Sequence, residues 1–194
     1  MNDLKKLLSQ PFKDREWLVK MLLGSVITIV PVFNFLSLGY FLRCIKHSWR
    51  GHHALPAWDN WPDLFKEGCL ALLITLLYLA IPLALGYLVA LIPIAGIALA
   101  SIIIFIMGLI IPMAIASFAI CGSLRDAFYF KVIIYLVSQV FNLYVVGYLA
   151  ATLSVILGLS LLLIFPLVGF VGGAVIFYCG VVFANFLGTL YREA

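Results

Sequence analysis

The side chains that could carry out chemistry are few, and most of them lie in one polar stretch, residues 43–67. Its potential metal ligands are Cys44, His47, His52, His53, Asp59 and Asp63. Structural zinc sites usually take their ligands in close pairs such as C-x₂₋₄-C or H-x₃₋₅-H. His47 and His52 are five positions apart, but no second pair follows them. The spacing favours loop histidines, and we expect neither a metal nor a cofactor.

A catalytic centre finds no better support in the residue pattern. A serine or cysteine nucleophile needs a base within hydrogen-bond reach, and no histidine accompanies those in the apolar runs. An intramembrane aspartyl enzyme needs two acids, and the apolar runs contain none. We predict that the protein is not an enzyme; His52 converging with Asp59 or Asp63 in one pocket would contradict this.

Two tryptophans, Trp58 and Trp61, stand where the polar stretch returns to an apolar run. Indole rings prefer the headgroup level of a membrane, and Asp59 or Asn60 could accept backbone N–H bonds at the start of the next helix. The same region could also dock a cytoplasmic partner. The candidate interface residues are Trp58, Asp59, Trp61 and Asp63.

The composition is that of a membrane protein. Of 194 residues, 65% are hydrophobic and 10% are charged, and the mean hydropathy is +1.20. Soluble domains are about half apolar and about a quarter charged, so a soluble enzyme domain, a secreted disulfide scaffold and a nucleic-acid binder are excluded. We expect membrane lipids as partners, leave other membrane-protein subunits open, and read the four cysteines as small hydrophobic residues.

The charged residues divide the chain into membrane segments. All 20 lie in four clusters, which leave the uncharged gaps 21–42, 68–124 and 132–191. A crossing helix needs about 20 apolar residues, so the second and third gaps can each hold two crossings. Both charged ends of each hairpin then face one side of the membrane, and the positive-inside rule predicts that this side is cytoplasmic. The C-terminus is predicted to lie on the same side.

Each gap has at its centre a proline followed three positions later by glycine or asparagine. Proline lacks the backbone N–H and disfavours helix in the residue before it, so these are natural turns. The prolines are 62 and 73 positions apart, which suggests a threefold repeat of helical hairpins. The predicted turns are Pro31 with Asn34, Pro93 with Gly96, and Pro166 with Gly169.

The first hairpin is short. Residues 18–30 make about 20 Å of helix and residues 35–42 about 12 Å, and neither crosses the hydrocarbon core. Residues 21–42 either cross once with a kink at Pro31 or form a re-entrant hairpin. We favour the re-entrant hairpin because it keeps every charge on one side. Pro31 and Asn34 should then pack against other helices, since irregular backbone in a membrane needs cover.

Residues 124–146 predict an interfacial helix, because Lys131, Tyr135, Ser138, Gln139 and Asn142 share one helical stripe. The expected architecture is an all-α polytopic membrane protein with three helical hairpins and interfacial amphipathic helices in one membrane domain, residues 1–194. Its parts are an N-terminal surface segment 1–17, a short kinked or re-entrant hairpin 18–42, a cytoplasmic loop 43–67, a transmembrane hairpin 68–121, the interfacial helix 124–146 and a transmembrane hairpin 147–190.

Four stretches together resemble a known family of prokaryotic membrane proteins, the "domain of unknown function 4013" family. They are Pro11-Phe12-Lys13-Asp14 leading to Trp17, Ile29-Val30-Pro31-Val32-Phe33-Asn34-Phe35-Leu36 with Leu38-Gly39-Tyr40, Leu55-Pro56-Ala57-Trp58-Asp59-Asn60-Trp61 continuing through Asp63-Leu64-Phe65 to Gly68, and Leu190-Tyr191-Arg192. Ala57 and Pro62 depart from the family pattern. The resemblance implies a multi-pass protein of the prokaryotic cytoplasmic (inner) membrane and no particular activity.

The leading functional hypothesis is a non-catalytic membrane protein, either an accessory or scaffold subunit of a membrane complex or a bilayer-organising protein. No Asp, Glu, Lys, Arg or His lies within a predicted crossing, which argues against a proton relay or an ion pathway. The alternative is a small transporter or lipid-handling protein with an apolar site between hairpins, because broken helices such as the one around Pro31 occur at transporter sites.

Overall fold

The computed structural model describes residues 11–52, 54–90, 95–164 and 166–194, and the regular secondary structure in these ranges is helical. A 3₁₀ turn, Pro11–Lys13, precedes the α-helices. These are α1 Trp17–Ile29, α2 Asn34–Trp49, α3 Trp61–Ala90, α4 Ala95–Cys121, α5 Leu124–Ala127, α6 Phe130–Gln139, α7 Phe141–Ile164 and α8 Pro166–Glu193. The prediction of an all-α polytopic fold is confirmed.

Four helices, α3, α4, α7 and α8, are long and apolar enough to cross a membrane. With 24 to 30 residues each, they are about 36–45 Å long, and the hydrocarbon core is about 30 Å thick. Long apolar runs become helices in lipid because every backbone polar group must be satisfied within the segment. Pro82 and Pro112 lie inside α3 and α4. The protein is therefore of the multi-pass membrane type.

The long helices pair as two antiparallel hairpins, α3 with α4 and α7 with α8. A Cβ placed at Gly86 of α3 would meet Ala100 of α4 at 3.6 Å, an ordinary packing contact. A Cβ at Gly147 of α7 would lie 2.3 Å from the Phe186 ring, and one at Gly158 would lie 2.4 Å from Ile176. Small residues let the backbones of these helices approach closely.

The structure describes the predicted turns of the two long hairpins in part. Pro93 lies outside the described residues, between the end of α3 and the start of α4. Pro166 is the first residue of α8, a position that suits proline because its missing N–H would have no helical partner there. Gly96 and Gly169 are buried residues within the first turns of α4 and α8.

The short helices α1 and α2 run in opposite directions along α8. In α1, Gly24 faces Phe177 and Ile29 faces Gly173, so α1 is antiparallel to α8. In α2, Phe41 faces Gly180 and Ile45 faces Gly188, so α2 is parallel to α8. Residues 17–49 therefore form a hairpin against α8, and do not continue in one direction.

The tip of this short hairpin corrects one expectation, because Pro31 and Asn34 are exposed and not packed against other helices. The turn satisfies much of its backbone internally, which reduces its need for cover. The Asn34 N–H donates to the Val30 carbonyl at 3.1 Å, and the Phe33 N–H donates to the Pro31 carbonyl at 2.8 Å. Val32 has a φ of 68°.

Three helix boundaries differ from those that the sequence predicts. Helix α2 continues to Trp49 and α3 begins at Trp61, so the connecting loop is residues 50–60 and not 43–67. The Lys46–Glu67 ion pair joins the two helices where they extend through charged residues. Helix α7 begins at Phe141, before the predicted start near Gly147, and α5, α6 and the first turn of α7 share residues 124–146.

Several helix ends meet at one end of the molecule, here called the charged end. Ser48 at the end of α2 shares a 3.0 Å hydrogen bond with Thr189 of α8. Cys121, the last residue of α4, lies 3.8 Å from the Tyr191 hydroxyl of α8. The start of α3 contacts α2 through a Lys46–Glu67 ion pair.

Helix α6 packs on α4 and has an apolar exposed surface as well as a polar one. Ile133 and Leu136 are buried, whereas Val132 and Ile134 are exposed. The predicted polar stripe is also exposed: Lys131, Tyr135, Ser138, Gln139 and Asn142. The predicted N-terminal surface segment lies, in residues 1–10, outside the described part of the chain.

Candidate functional site at the charged end

The loop between α2 and α3 folds back onto the helices through Trp58. The Trp58 ring stacks on Tyr40 with 4.2 Å between ring centroids, and its Nε1–H donates to the Lys20 carbonyl at 3.2 Å. The buried Tyr40 hydroxyl donates to the Pro56 carbonyl at 3.0 Å. Trp58 is thus an internal tether between α1, α2 and the loop.

A second tether joins the loop to the segment before α1. The Lys20 Nζ donates to the Asp14 carboxylate at 2.8 Å and to the Leu55 carbonyl at 3.1 Å. The same carboxylate accepts the Leu55 N–H at 3.0 Å. Burial by itself raises the pKa of Asp14, but the hydrogen bonds from Lys20, Glu16 and Leu55 outweigh it and hold the pKa below its usual value. This cluster is therefore charged and structural at neutral pH.

The other three predicted interface residues have separate environments. Asp59 pairs with Arg43 of α2, and the Arg43 guanidinium also donates to the Asp59 carbonyl at 2.9 Å. Trp61 and Asp63 are exposed in the first turn of α3. The structure brings Trp58 and Trp61 within 5.9 Å, centroid to centroid, but turns Trp58 inward and leaves Trp61 outside.

A cavity of about 450 Å³ opens between α2, the start of α3 and the end of α4. We call it the charged cavity. Its polar lining contains three cationic and two acidic side chains: Arg43, Lys46, Asp63, Lys66 and Glu67. Its remaining lining residues are Leu70, Phe118, Gly122 and Leu124. This amphiphilic lining is the best-defined chemical site at the charged end.

The predicted metal-ligand histidines are close but do not complete a site. His47 and His52 lie 5.6 Å apart, centroid to centroid, and His53 is outside the described residues. Burial, His52 and Arg50 lower the pKa of His47, and a backbone hydrogen bond at Ala54 opposes them. Across the described ranges, no three His, Cys, Asp or Glu side chains gather as potential metal ligands.

An apolar groove of about 220 Å³ lies between α7 and α8. Small residues of α7, Ala150, Ala151 and Ser154, face Tyr178 and Phe183 of α8 across it. The sequence hypothesis of an apolar site placed it between hairpins, whereas this groove lies within one hairpin. Asn34 lines neither this groove nor the charged cavity.

The sequence pattern gave no signal for several residues of the charged end. Tyr40 lies in an apolar run, and nothing in its neighbours indicates the Pro56 carbonyl as its partner. The same is true of the Asp14–Lys20 and Lys46–Glu67 pairs. The charges of these two pairs are six and 21 positions apart in the sequence, and they come together only in the folded arrangement of the helices.

Comparison with known proteins identifies one family. The family model described as "Protein of unknown function (DUF4013)" matches residues 22–177, which include most of the short hairpin, the charged-end loop and most of both long hairpins. No curated protein and no solved structure matches the chain.

Proposed function

The chain belongs to the DUF4013 family, and from this premise we propose that it is a non-catalytic membrane protein that organises the bilayer around it. The observation that carries the proposal is the reversal of α1 and α2 along α8. Ile29 near the end of α1 contacts Gly173, and Ile45 near the end of α2 is next to Gly188. The hairpin thus starts and ends on one side, as a re-entrant hairpin does.

The proposed orientation places the charged end in the cytoplasm of a prokaryotic cell, with the C-terminus on that side. Lys and Arg outnumber Asp and Glu by 12 to 8, and cytoplasmic loops carry such an excess. The uncharged tips of the long hairpins then lie at the opposite face of the cytoplasmic (inner) membrane.

This arrangement gives the protein a larger cross-section in one leaflet. Four long helices cross both leaflets, whereas α1 and α2 are about 20 Å and 24 Å long and occupy mainly one. Helix α6 adds exposed apolar side chains, including Ile134 at 55% exposure, to the leaflet that α1 and α2 occupy. Helices that insert into one leaflet bind in a curvature-sensitive way, so such a wedge favours a bent bilayer.

The proposal includes no catalytic step, and the buried hydroxyls support it. Ser48 donates to the Asn185 carbonyl at 2.7 Å, Ser117 to the Asp126 carbonyl at 3.2 Å, and Ser25 to the Met21 carbonyl at 2.7 Å. The Ser48 and Ser117 hydroxyls join two helices and the Ser25 hydroxyl bonds within α1, whereas a nucleophile would need an adjacent base.

Reconstitution into liposomes of mixed size tests the proposal. We expect enrichment per unit of membrane area on small, highly curved vesicles over large ones. Replacing exposed apolar surface of α6 by Ile134→Ser should reduce this enrichment, and the matched Ser138→Ala on the same helix should not. Equal densities on all vesicle sizes for the unmodified protein would refute bilayer organisation.

A second candidate is an accessory subunit of a membrane complex, and the exposure of α7 favours it. Only 6% of the most apolar stretch of α7 is buried, against 44% for α8. A stoichiometric membrane partner recovered with the protein in native nanodiscs would support this candidate. A homogeneous protein free of partners would leave the α7 surface to lipid.

The apolar groove supports a third candidate, the handling of an apolar lipid. Its lining is hydrocarbon and aromatic apart from a few polar atoms such as the Ser154 hydroxyl, which already donates to the Ala150 carbonyl at 2.8 Å. Ala150→Leu would fill the groove, and loss of a co-purifying lipid in that variant would support this candidate.

A further inference from the structure

The charged cavity combines a polar wall and an apolar wall. Its polar wall belongs to α2 and the first turns of α3, and its apolar wall includes Leu70 and Phe118 from the long hairpin. At about 450 Å³, it falls within the range of about 300–1,000 Å³ that holds small ligands. Such a lining is complementary to an amphiphile whose headgroup and acyl chains separate at the same boundary.

The charges that remain free in the cavity have both signs. Arg43 is paired with Asp59 and Lys46 with Glu67. Lys66 and Asp63, by contrast, form no ion pair with any described residue. The cavity therefore offers one unpaired cation and one unpaired anion, which is complementary to a zwitterion and not to a simple anion.

Glu67 supplies the more specific signal. Its Oε1 accepts from Lys46 at 3.1 Å, but its Oε2 is buried and has no hydrogen-bond partner among the described residues. A buried carboxylate oxygen without a donor is unfavourable. A ligand N–H group that reaches this oxygen would satisfy it.

Space for such a ligand exists beside Gly122. This residue follows the end of α4 with a φ of +76°, and no atom of a described residue other than its chain neighbours lies within 4 Å of the position that its Cβ would occupy. The Gly122 N–H is already used, because it donates to the Phe118 carbonyl at 2.8 Å. Ligand recognition must therefore come from the side chains of α2 and α3.

We infer that the charged cavity binds the phosphoethanolamine headgroup of a membrane lipid, with the phosphate at Lys66 and the primary ammonium at Glu67 and Asp63. The acyl chains leave along Leu70 and Phe118. A choline headgroup has the same charges but no N–H to donate, so the site discriminates between the two zwitterionic lipids. This inference does not depend on the proposed bilayer-organising function.

Competition between lipids, read by native mass spectrometry of the detergent-solubilised protein, tests the inference. We expect phosphatidylethanolamine to be retained about tenfold over phosphatidylcholine of the same chain length, the effect of one charge-assisted hydrogen bond. It should also be retained over phosphatidylglycerol. Equal retention of the two zwitterionic lipids, or preference for the anionic one, would overturn the inference.

Variants separate the roles of the acidic and the basic side chains of the polar wall. Glu67→Gln should abolish the preference for ethanolamine over choline, and Lys66→Gln should weaken both zwitterionic lipids. Lys131→Gln, an exposed charge of α6 outside the cavity, should change neither. Lys66 is exposed, so its variant tests the site even where Glu67→Gln does not fold. Unchanged lipid retention in Lys66→Gln would contradict the inference.

Free glycerophosphoethanolamine distinguishes a lipid from a soluble ligand with the same headgroup. We expect it to compete only at concentrations far above those of the lipid, because it lacks the chains that contact the apolar wall. Competition at equal concentration would assign the site to a soluble compound and overturn the lipid assignment. Liposome curvature sorting is a separate readout, so failure of lipid selectivity and failure of bilayer organisation remain distinguishable.

Discussion

At the scale of single residues, the charged end depends on side chains that hold backbone carbonyls. Tyr40, which is fully buried, donates to the Pro56 carbonyl, and Trp58 donates to the Lys20 carbonyl. The first of these hydrogen bonds is buried and the second is partly buried, so the donors satisfy carbonyl groups that would otherwise be costly to remove from water. The tethers order the loop against α1 and α2.

Tyr40→Phe should lower the free energy of unfolding by about 1–2 kcal/mol, because the Pro56 carbonyl loses its donor while the ring packing on Trp58 is kept. Thermal unfolding in detergent, followed by tryptophan fluorescence, measures this. The control is Tyr135→Phe, whose ring is 58% exposed and which we expect to have no effect. Equal stability of the Tyr40 variant would show that the hydrogen bond contributes nothing.

His47 should make stability pH-dependent near neutrality. Its pKa is held below the ordinary 6.5, first by burial and then by His52 and Arg50, so folding favours the neutral ring. Its contribution is therefore complete above pH 6.5 and is lost as the pH falls through the folded-state pKa. Unfolding temperatures measured between pH 7.5 and pH 5 should fall less steeply in His47→Gln. The same slope in both proteins would contradict this assignment.

At the scale of helices, glycine sets the distance between α2 and α3. A Cβ at Gly39 would lie 2.0 Å from the Leu64 carbonyl oxygen, and a Cβ at Gly68 would lie 1.8 Å from that of Phe35. The contacts are reciprocal and involve backbone atoms, which do not move aside as flexible side chains do. The crossing therefore tolerates only glycine.

Gly68→Ala should destabilise the protein by about 3 kcal/mol, because the added methyl group forces α2 and α3 apart. Gly86→Ala is the matched control in the same helix, since its Cβ would make only ordinary packing contacts, with Ala100 at 3.6 Å and Ile104 at 3.8 Å. That variant should be neutral or more stable by up to about 1 kcal/mol from helix propensity. Unfolding temperatures and expression levels compare the two, and equal effects would rule out a close crossing.

At the scale of the whole molecule, the direction of the short hairpin decides the topology. A single crossing of residues 21–42 would place the N-terminal segment and the C-terminus on opposite faces. The reversal of α1 and α2 along α8 supports the proposed arrangement, in which both lie on the same face. The short hairpin therefore determines whether the charged segments lie on one face of the membrane or on both. It also determines how much helix each leaflet contains.

Cysteine labelling in sealed, oriented vesicles tests the topology. In a background without the four native cysteines, Glu16→Cys and Glu193→Cys should both react with a membrane-impermeant maleimide from the same side. Both positions are exposed, and three of the native cysteines, Cys69, Cys121 and Cys179, are at least partly accessible and must be removed. Labelling from opposite sides would establish a single crossing and remove the basis of the wedge.

Composition and charge spacing determined the all-helical fold class, the two long hairpins and the clustering of charge, because hydropathy is a property of each segment taken alone. Helices α3, α4, α7 and α8 follow from that rule. The sequence pattern placed the ends less well, since α2 and α3 extend through charged residues by pairing Lys46 with Glu67.

Only the tertiary structure decided what the charged end is. Trp58 turns inward because Tyr40 and the Lys20 carbonyl are there to receive it, and the charged cavity exists because α2, α3 and α4 meet. Ser48 and Thr189, 141 positions apart, share a hydrogen bond. Such contacts depend on how separate helices are placed against one another, and no local pattern of residue types carries that information.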